Sequence, residues 1–571
     1  MASSGNFATW NPLARTNPAQ TYAGSTFLQG NLKFAGTTGG NSVAMSTLYM
    51  TSGKWYTEFY QSGSPNGGWP AYGIIKAENA TEAQDVSNIQ NKSYESHIVH
   101  TGYHSKFDVT NSGTNTGDTF TAGDIIQIAI DIDAGKAWWG KNNTWTQSGD
   151  PANGNNANDT FTAGTEIAYY TSAYNGCGYI IMNAGQDDTF GGAITAAGNA
   201  DGNGFGAFKY SPPSGFLALC SANLPISDDI DPAQTDDDIP QKQFGVVTYT
   251  GTGSTQAITG LGFQPDLVWI KDLSSGENNR VTDSSRGVTK AIRSDISNAE
   301  LTDSGGVTAF GTDGFTVGNH NNYNASTNSL VAWCWKANGG TTATDSTGTI
   351  TSSVQANTKG GFSIVTYTGT GTAATIGHGL GKAPELIFVK NRDAGDDWAV
   401  YHVSNGNTHY MILNTNGGKT DNTYWNDTSP TSSVFSIGTD HKLNASTEKY
   451  VAYCWAPIEG YSKFGVYTSN QNADGPFNYT GFRPKMIFVK MVVSGDGWGV
   501  WDSERSPTNV MDEMLRWDSD NAQATGTPYQ VDFGANGFKV RTDNAQMNHN
   551  SYDPYIWGAW GDVPYKYNNG F

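Results

Sequence analysis

"LVAWCW" at 330–335 and "YVAYCW" at 450–455 are nearly the same apolar hexapeptide, and "YIWGAW" at 555–560 is a weaker third version. Working outward from them, other landmarks fall into register. The stretch "FGVVTYTGTG" opens at Phe244, "FSIVTYTGTG" at Phe362 and "FGVYTSNQN" at Phe464. A proline (Pro265, Pro384, Pro484) then precedes an apolar run: "LVWI", "LIFV" and "MIFV". Such runs read as strands covered on both faces, with the proline at the strand start, where a missing N–H does little harm. The lysine that follows each run (Lys271, Lys390, Lys490) is expected where the chain reaches water. A fourth landmark is "NHNNYNAST" against "TDHKLNAST", with "TDNAQMNHN" in the last copy. The second half of the chain is therefore one β-module written three times. Each copy is domain-sized, so a string of domains with separate cores is expected.

Composition agrees. Of 571 residues, 70 are glycine, 15% are charged and 12% aromatic, a balance that folds and that favours short strands joined by polar turns. The best helical window, "NVMDEMLRW" at 509–517, is short. The net charge of −20 argues against a protein that tracks nucleic-acid phosphates and against binding to an anionic membrane surface. The four cysteines, Cys177, Cys220, Cys334 and Cys454, read as reduced core thiols, two of them at matching repeat positions. The start, "MASSGNFATWNP", has neither a basic nor an apolar leader region, so synthesis in a cytoplasm and release by a route such as lysis are expected.

The boundaries follow. Residues 1–225 form one domain, 226–242 an acidic linker, 243–338 copy one, 361–458 copy two and 461–571 copy three. Residues 339–360 form either a linker or an extra hairpin, since "GTITSSVQANTKGG" alternates as a strand does.

The first 225 residues hold different signals. "GKWYTEFYQS" is an aromatic strand, and "GDIIQIAIDIDAGKAWWGKNNTW" reads as two strands around a tight turn at Asp131–Gly135. With "NAGQDDTF" at 183–190, these pieces resemble the SPRY domain, a β-sandwich binding module, over roughly residues 5–222. The last element departs from that pattern, because Asp187 and Asp188 stretch it and a Gly/Asn-rich insertion follows. The tail "PPSGFLALCSANLP" at 212–225 and the repeated "GFSIVTYTGTG…GHGLGKAPELIFVKNR" at 361–392 resemble uncharacterised virion proteins of tailed phages, in which SPRY-like and repeated β-modules occur together, and that resemblance covers essentially the whole chain. That resemblance implies a virion location, contacts with other virion proteins and a host-surface glycan or protein, and a homo-oligomer, by analogy a trimer. The overall fold class expected is all-β and multi-domain: a SPRY-like sandwich followed by three homologous β-sandwich modules.

Catalytic signatures are sparse. "GGKT" at 417–420 lacks the upstream glycine of a phosphate loop, since Leu413 stands there. His97 and His100 would face opposite sides of a strand and would not readily share a metal with His104. No catalytic residue, metal or cofactor is expected. Exposed aromatics are the candidate contacts: Trp398 and Trp498, each after a Gly-Asp turn, and Trp69 in the loop "GSPNGGWPAYG". Aromatic platforms flanked by Asp and Asn suit sugars, and the competing reading makes these tryptophans core or copy-to-copy contacts. The sequence thus points to a non-catalytic tail fibre or tail-associated adhesin, with a capsid decoration protein or head fibre as the alternative. A polysaccharide depolymerase ranks last, for want of a long parallel β-helix.

Overall fold

A computed structural model describes residues 6–14, 25–36, 41–64, 69–80, 94–108, 114–174, 177–225, 239–493, 495–549, 551 and 553–564. Most of the acidic linker, 226–238, and residues 65–68 of the Trp69 loop lie outside them. The chain divides into two compact units, Met1–Pro225 with Asp474–Gly481 and Tyr565–Phe571, and Ile226–Ala473 with Phe482–Pro564. All four cysteines are buried, and none is in a disulfide. Among the described residues no helix is long and apolar enough to cross a membrane.

Among the described residues the first unit holds a nine-stranded and a six-stranded sheet. The aromatic strand Lys54–Gln61 lies inside the first, between Ile180–Asn183 and Ile125–Asp131. Ile125–Asp131 turns back into Lys136–Lys141 with Asp131 opposite Lys136, the hairpin read from "DIDAG". The second sheet is centred on Ile167–Tyr174, flanked by Asn41–Met50 and Ala71–Lys76. Aromatic residues from the two sheets share one core: Trp10 stacks on Phe59, and Trp139 Nε1 donates to the Tyr72 carbonyl across the sandwich at 3.0 Å.

The motif acids serve as backbone anchors. Glu58, fully buried, accepts the amides of Lys209 and Tyr210 at 2.9 and 2.8 Å and the Tyr56 hydroxyl at 2.9 Å. Burial pushes its carboxyl up to about 7 despite these donors. Asp187 accepts from Thr189 and Gly191, and Asp188 from Ala197 and Gly198, so the two carboxylates fold the stretched loop rather than face each other.

In the second unit the three copies share one sheet order. The closing strand (Ser329–Trp335, Lys449–Trp455, Pro554–Pro564) lies between the opening strand (Phe244–Thr250, Phe362–Thr368, Ser462–Thr468) and the proline strand (Leu267–Asp272, Leu386–Asn391, Phe482–Met491). A flanking strand follows the proline strand (Arg280–Asp283, Ala399–His402, Gly499–Asp502). The copy-three opening is shifted by two residues from the alignment on Phe464: Trp560 pairs with Ser462, whereas Trp335 and Trp455 pair with Phe244 and Phe362. The shift preserves the face, because strand side chains alternate. Phe464 instead packs over Gly558, where a Cβ would come within 2.9 Å of its ring.

Alternation along the closing strand explains why it is apolar throughout. Val331, Trp333 and Trp335, with Val451, Tyr453 and Trp455 and with Ile556 and Trp560, point into one cluster that all three copies build. Leu330, Ala332 and Cys334 point the other way into a cluster belonging to copy one, and Tyr450, Ala452 and Cys454 do the same in copy two. The expected string of domains is thus half right in its physics: each copy has its own outer core, but the inner cores are fused into one. At the centre Trp335, Trp455 and Trp560 meet edge to face, with ring centroids 5.4–6.0 Å apart. Each such contact is worth about 0.5–1.5 kcal/mol beyond burial.

The junctions between copies close a ring. Trp398 Nε1 of copy two donates to the Arg293 carbonyl of copy one at 2.8 Å. Trp498 Nε1 of copy three donates to Ile412 of copy two at 3.0 Å. Asn279 stands in copy one where the others have tryptophan, and its side chain donates to Arg516 and Ser519 of copy three. The second unit therefore has pseudo-threefold symmetry inside a single chain.

Two expectations change here. Lys271, Lys390 and Lys490 do not reach water: all three are fully buried, and burial pulls their ammonium groups down to about 8. They cap carbonyls of the turn and of the neighbouring copy, Lys271 on Glu277 and Asp520 and Lys490 on Met491 and Asn416. The window 509–517 is not helical. Met511 and Met514 bridge Val531 and Ala524, while Leu515–Arg516 pairs with the copy-three flanking strand. The short helices lie instead at the fourth landmark, at Asn321–Asn324, His441–Asn444 and Ala545–Asn548. Each ends in a fully buried asparagine that holds the turn after the opening strand: Asn324 accepts from Thr252, Asn444 from Thr370 and Asn548 from Asn470.

Candidate functional site

Trp398 and Trp498 are fully buried, and their indole N–H groups are bonded across the copy junctions. Their faces pack in the shared core, so neither ring is open to a sugar; the copy-to-copy reading describes them. Trp69 is 46% exposed and meets His100 edge to face. It is a surface aromatic of the first unit, whereas the other two belong to the second. His97 and His104 are buried in the first sandwich, where burial pulls both imidazoles down to about 3 and keeps them neutral. Among the described residues no cluster of His, Cys, Asp or Glu is placed to hold a metal ion.

The second unit offers another surface. Residues 339–360 contain the hairpin: Ala343–Asp345 pairs with Ser352–Asn357, which adds to the edge of the copy-two opening strand. Among the described residues neither other copy has such strands beside its opening strand. The alternation that sends Phe362 and Ile364 into the shared core continues outward to Thr366 and Thr368 on the same face. Thr366 lies opposite Ser353, and Ser353 opposite Thr344, so three hydroxyl residues form one rung across three strands. At about 4.8 Å per strand, the rung spans about 10 Å.

This rung floors an open groove of about 380 Å³, walled on one side by Arg392 and Lys449 and completed by Thr351, Ser352 and Tyr367. Lys449 sits opposite Thr368 in the sheet, and the Arg392 amide donates to the Lys449 carbonyl at 2.8 Å. The Ser352 hydroxyl is taken by the Gly377 carbonyl and that of Tyr367 by Leu443. The hydroxyls of Thr344, Thr351, Ser353, Thr366 and Thr368 have no protein partner among the described residues, and neither does the exposed Lys449 ammonium.

The arginine is held in place. Arg392 makes two hydrogen bonds to Glu300 of copy one, at 2.9 and 3.1 Å, and Glu300 also takes Arg286 at 3.0 Å. Burial works against ionisation of Glu300, but hydrogen bonds from Arg392 and the charge of Arg286 hold its carboxyl below the usual range. Arg286 in turn is bound to Asp283, which receives the Tyr453 hydroxyl of copy two at 2.7 Å. The groove is thus a rigid row of free hydroxyls beside one fixed guanidinium and one free ammonium. Its lining holds no carboxylate or imidazole. Such a surface can hydrogen-bond and attract negative charge.

The sequence left 339–360 open between a linker and a hairpin, and it did not show the groove. The signal was the run of threonines and serines on one face of "TSSVQANTKGGFSIVTYTGT", which was legible only as alternation.

No curated protein matches the chain. The SPRY domain of human HERC1 is similar at 15% identity, over 30% of this chain and 96% of that domain, with a TM-score of 0.21. The TRIM65 PSpry domain is similar at 6% identity, over 31% of this chain and 89% of that one, with a TM-score of 0.20. Residues 239–564, more than half of the chain and nearly the whole of the threefold unit, match the family described as Domain of unknown function (DUF7483), and the chain belongs to that family.

Proposed function

We propose that the chain is a non-catalytic virion protein of a tailed phage, a tail fibre or tail-associated adhesin that presents rigid β-units to the host surface. The observation that carries this reading is the copy-two groove: unpartnered hydroxyls and a free ammonium on a sheet face made rigid by the fused tryptophan core. A rigid platform loses little conformational freedom on binding, which favours recognition by many weak polar contacts. Assembly with other virion proteins and into a homo-oligomer belongs to the same proposal, with avidity as its gain.

A second reading, a capsid decoration protein, is favoured by one observation. The three copies close on one another instead of extending as a row, which makes a compact cap rather than a rod. Binding of labelled full-length protein to intact host cells, with competition against phage adsorption, separates the two. Saturable binding that blocks adsorption supports the adhesin. Absence of binding across cells that the phage infects rejects it and favours decoration.

A further inference from the structure

We propose that the copy-two groove is a binding site for an anionic saccharide, one bearing sulfate or carboxylate groups, and that Lys449 supplies its charge selectivity. This rests on the attachment reading for its biological setting but not for its chemistry.

Three observations point the same way. First, the chain carries a net charge of −20, so an anionic ligand is repelled by the molecule as a whole and needs a local cationic site. The groove wall is such a site. Its arginine is already matched to Glu300, while the Lys449 ammonium is exposed and unmatched. Second, the free hydroxyls of Thr344, Ser353 and Thr366 are aligned in one rung. Hydroxyls both donate and accept, which matches the mixed donor and acceptor pattern of a sugar edge and does not match an apolar ligand. Third, the rung depends on the hairpin 343–357, whose strands Ala343–Asp345 and Ser352–Asn357 supply Thr344 and Ser353. Copies one and three have threonine at the matching end of the opening strand (Thr250, Thr468), but among the described residues no neighbouring strand continues the row there.

The division of labour follows from geometry. The hydroxyl rung orients the sugar, and Lys449, on a flexible stem at the rim, pairs with the acidic substituent. Arg392, fixed by Glu300, positions the wall and shares its remaining N–H groups. Because Lys449 is solvent-exposed, its contribution is screened by salt.

The test uses the full chain and three defined polymers: alginate for carboxylate, dextran sulfate for sulfate, and neutral dextran. Titration calorimetry at low and high salt reads affinity. Binding of alginate, dextran sulfate or both, weakened at least about ten-fold by raised salt, with no binding of dextran, is expected. Which polymer binds assigns the acidic group. Lys449→Glu is expected to weaken binding at least about ten-fold, and Thr366→Val by about two- to ten-fold. Lys419→Glu, the same charge change at an exposed site of the same copy outside the groove, is expected to leave it unchanged. Both lysines are exposed, so all variants are checked for an unchanged thermal midpoint. Equal binding of dextran, equal loss from both lysine variants, or no binding of either charged polymer overturns the inference. Protein that binds host cells but neither polymer overturns this inference alone; protein that binds polymer but no host cell overturns only the attachment reading.

Discussion

Replacing Trp498 by alanine is the sharpest test of the fused core. The side chain is fully buried between Phe388 of copy two and Phe488 of copy three, with ring centroids 6.2 and 5.7 Å away. Truncating a buried tryptophan costs about 3–5 kcal/mol through lost transfer energy and the cavity left behind. The Ile412 carbonyl also loses its donor, which adds about 1 kcal/mol. For a unit of this size each kcal/mol lowers the transition by roughly 2 °C, so a drop of about 8–12 °C is expected. Trp498→Phe keeps most of the ring and loses the hydrogen bond, so a drop of only about 2–4 °C is expected. Scanning calorimetry of the full chain reads both, and Trp398→Ala, at the preceding junction, behaves alike. A Trp498→Ala protein that melts within about 1 °C of the parent, yet loses saccharide binding, would refute the junction and restore the tryptophan as an exposed platform.

Three further outcomes follow from the same physics. Asn444→Ala strands the Thr370 amide and the Gly438 carbonyl, at 2.8 and 2.9 Å from the lost side chain, and is expected to lower stability by about 2–4 kcal/mol in urea titration; a loss under about 0.5 kcal/mol contradicts the staple. Glu300→Ala leaves Arg286 partly and Arg392 wholly without an acidic partner, and a loss of about 3 kcal/mol, with weaker saccharide binding, is expected by the same assays; unchanged binding would detach the groove wall from Glu300. Glu58 has a carboxyl raised from 4.5 to about 7, so its contribution is full below about pH 4.5 and is lost as pH rises through about 7. First-unit stability is expected to fall across that window by at most about 3 kcal/mol from this group, and Glu58→Gln to flatten the slope; parallel pH profiles for parent and variant would exclude the assignment.

Much of the fold was legible because repetition makes patterns visible. Trp335, Trp455 and Trp560 marked the closing strands, and Pro265, Pro384 and Pro484 marked the strands beside them, while alternation left 339–360 open between a linker and a hairpin. What could not be read was the direction in which copies meet. A residue such as Trp398 after a Gly-Asp turn looks equally like a platform or a wedge, because burial by another copy leaves no mark on local periodicity. The buried lysines misled for a related reason: Lys271 ends an apolar run as a surface lysine does, and only the carbonyls of Asp272, Glu277 and Asp520 make its burial tolerable. The groove was hidden because its hydroxyls gain meaning only in cross-strand register, which pairs Thr344 with Ser353 and Ser353 with Thr366.

The closed ring of junctions also sets an order of events during synthesis. Asn279 waits for Arg516, 237 residues downstream. At about 5–20 residues per second, copy one stands on the ribosome for roughly 10–50 s before its third neighbour exists. Through that interval the inner faces of Trp269, Trp333 and Trp335 lack part of their final cover. A chain stopped after copy two would keep that open flank permanently, and aggregation or capture by chaperones is its expected fate. The closing strand of copy three, Pro554–Pro564, is therefore the latch of the whole unit: made after copies one and two, it pairs with both strands beside it and turns three half-finished sheets into a single solid body.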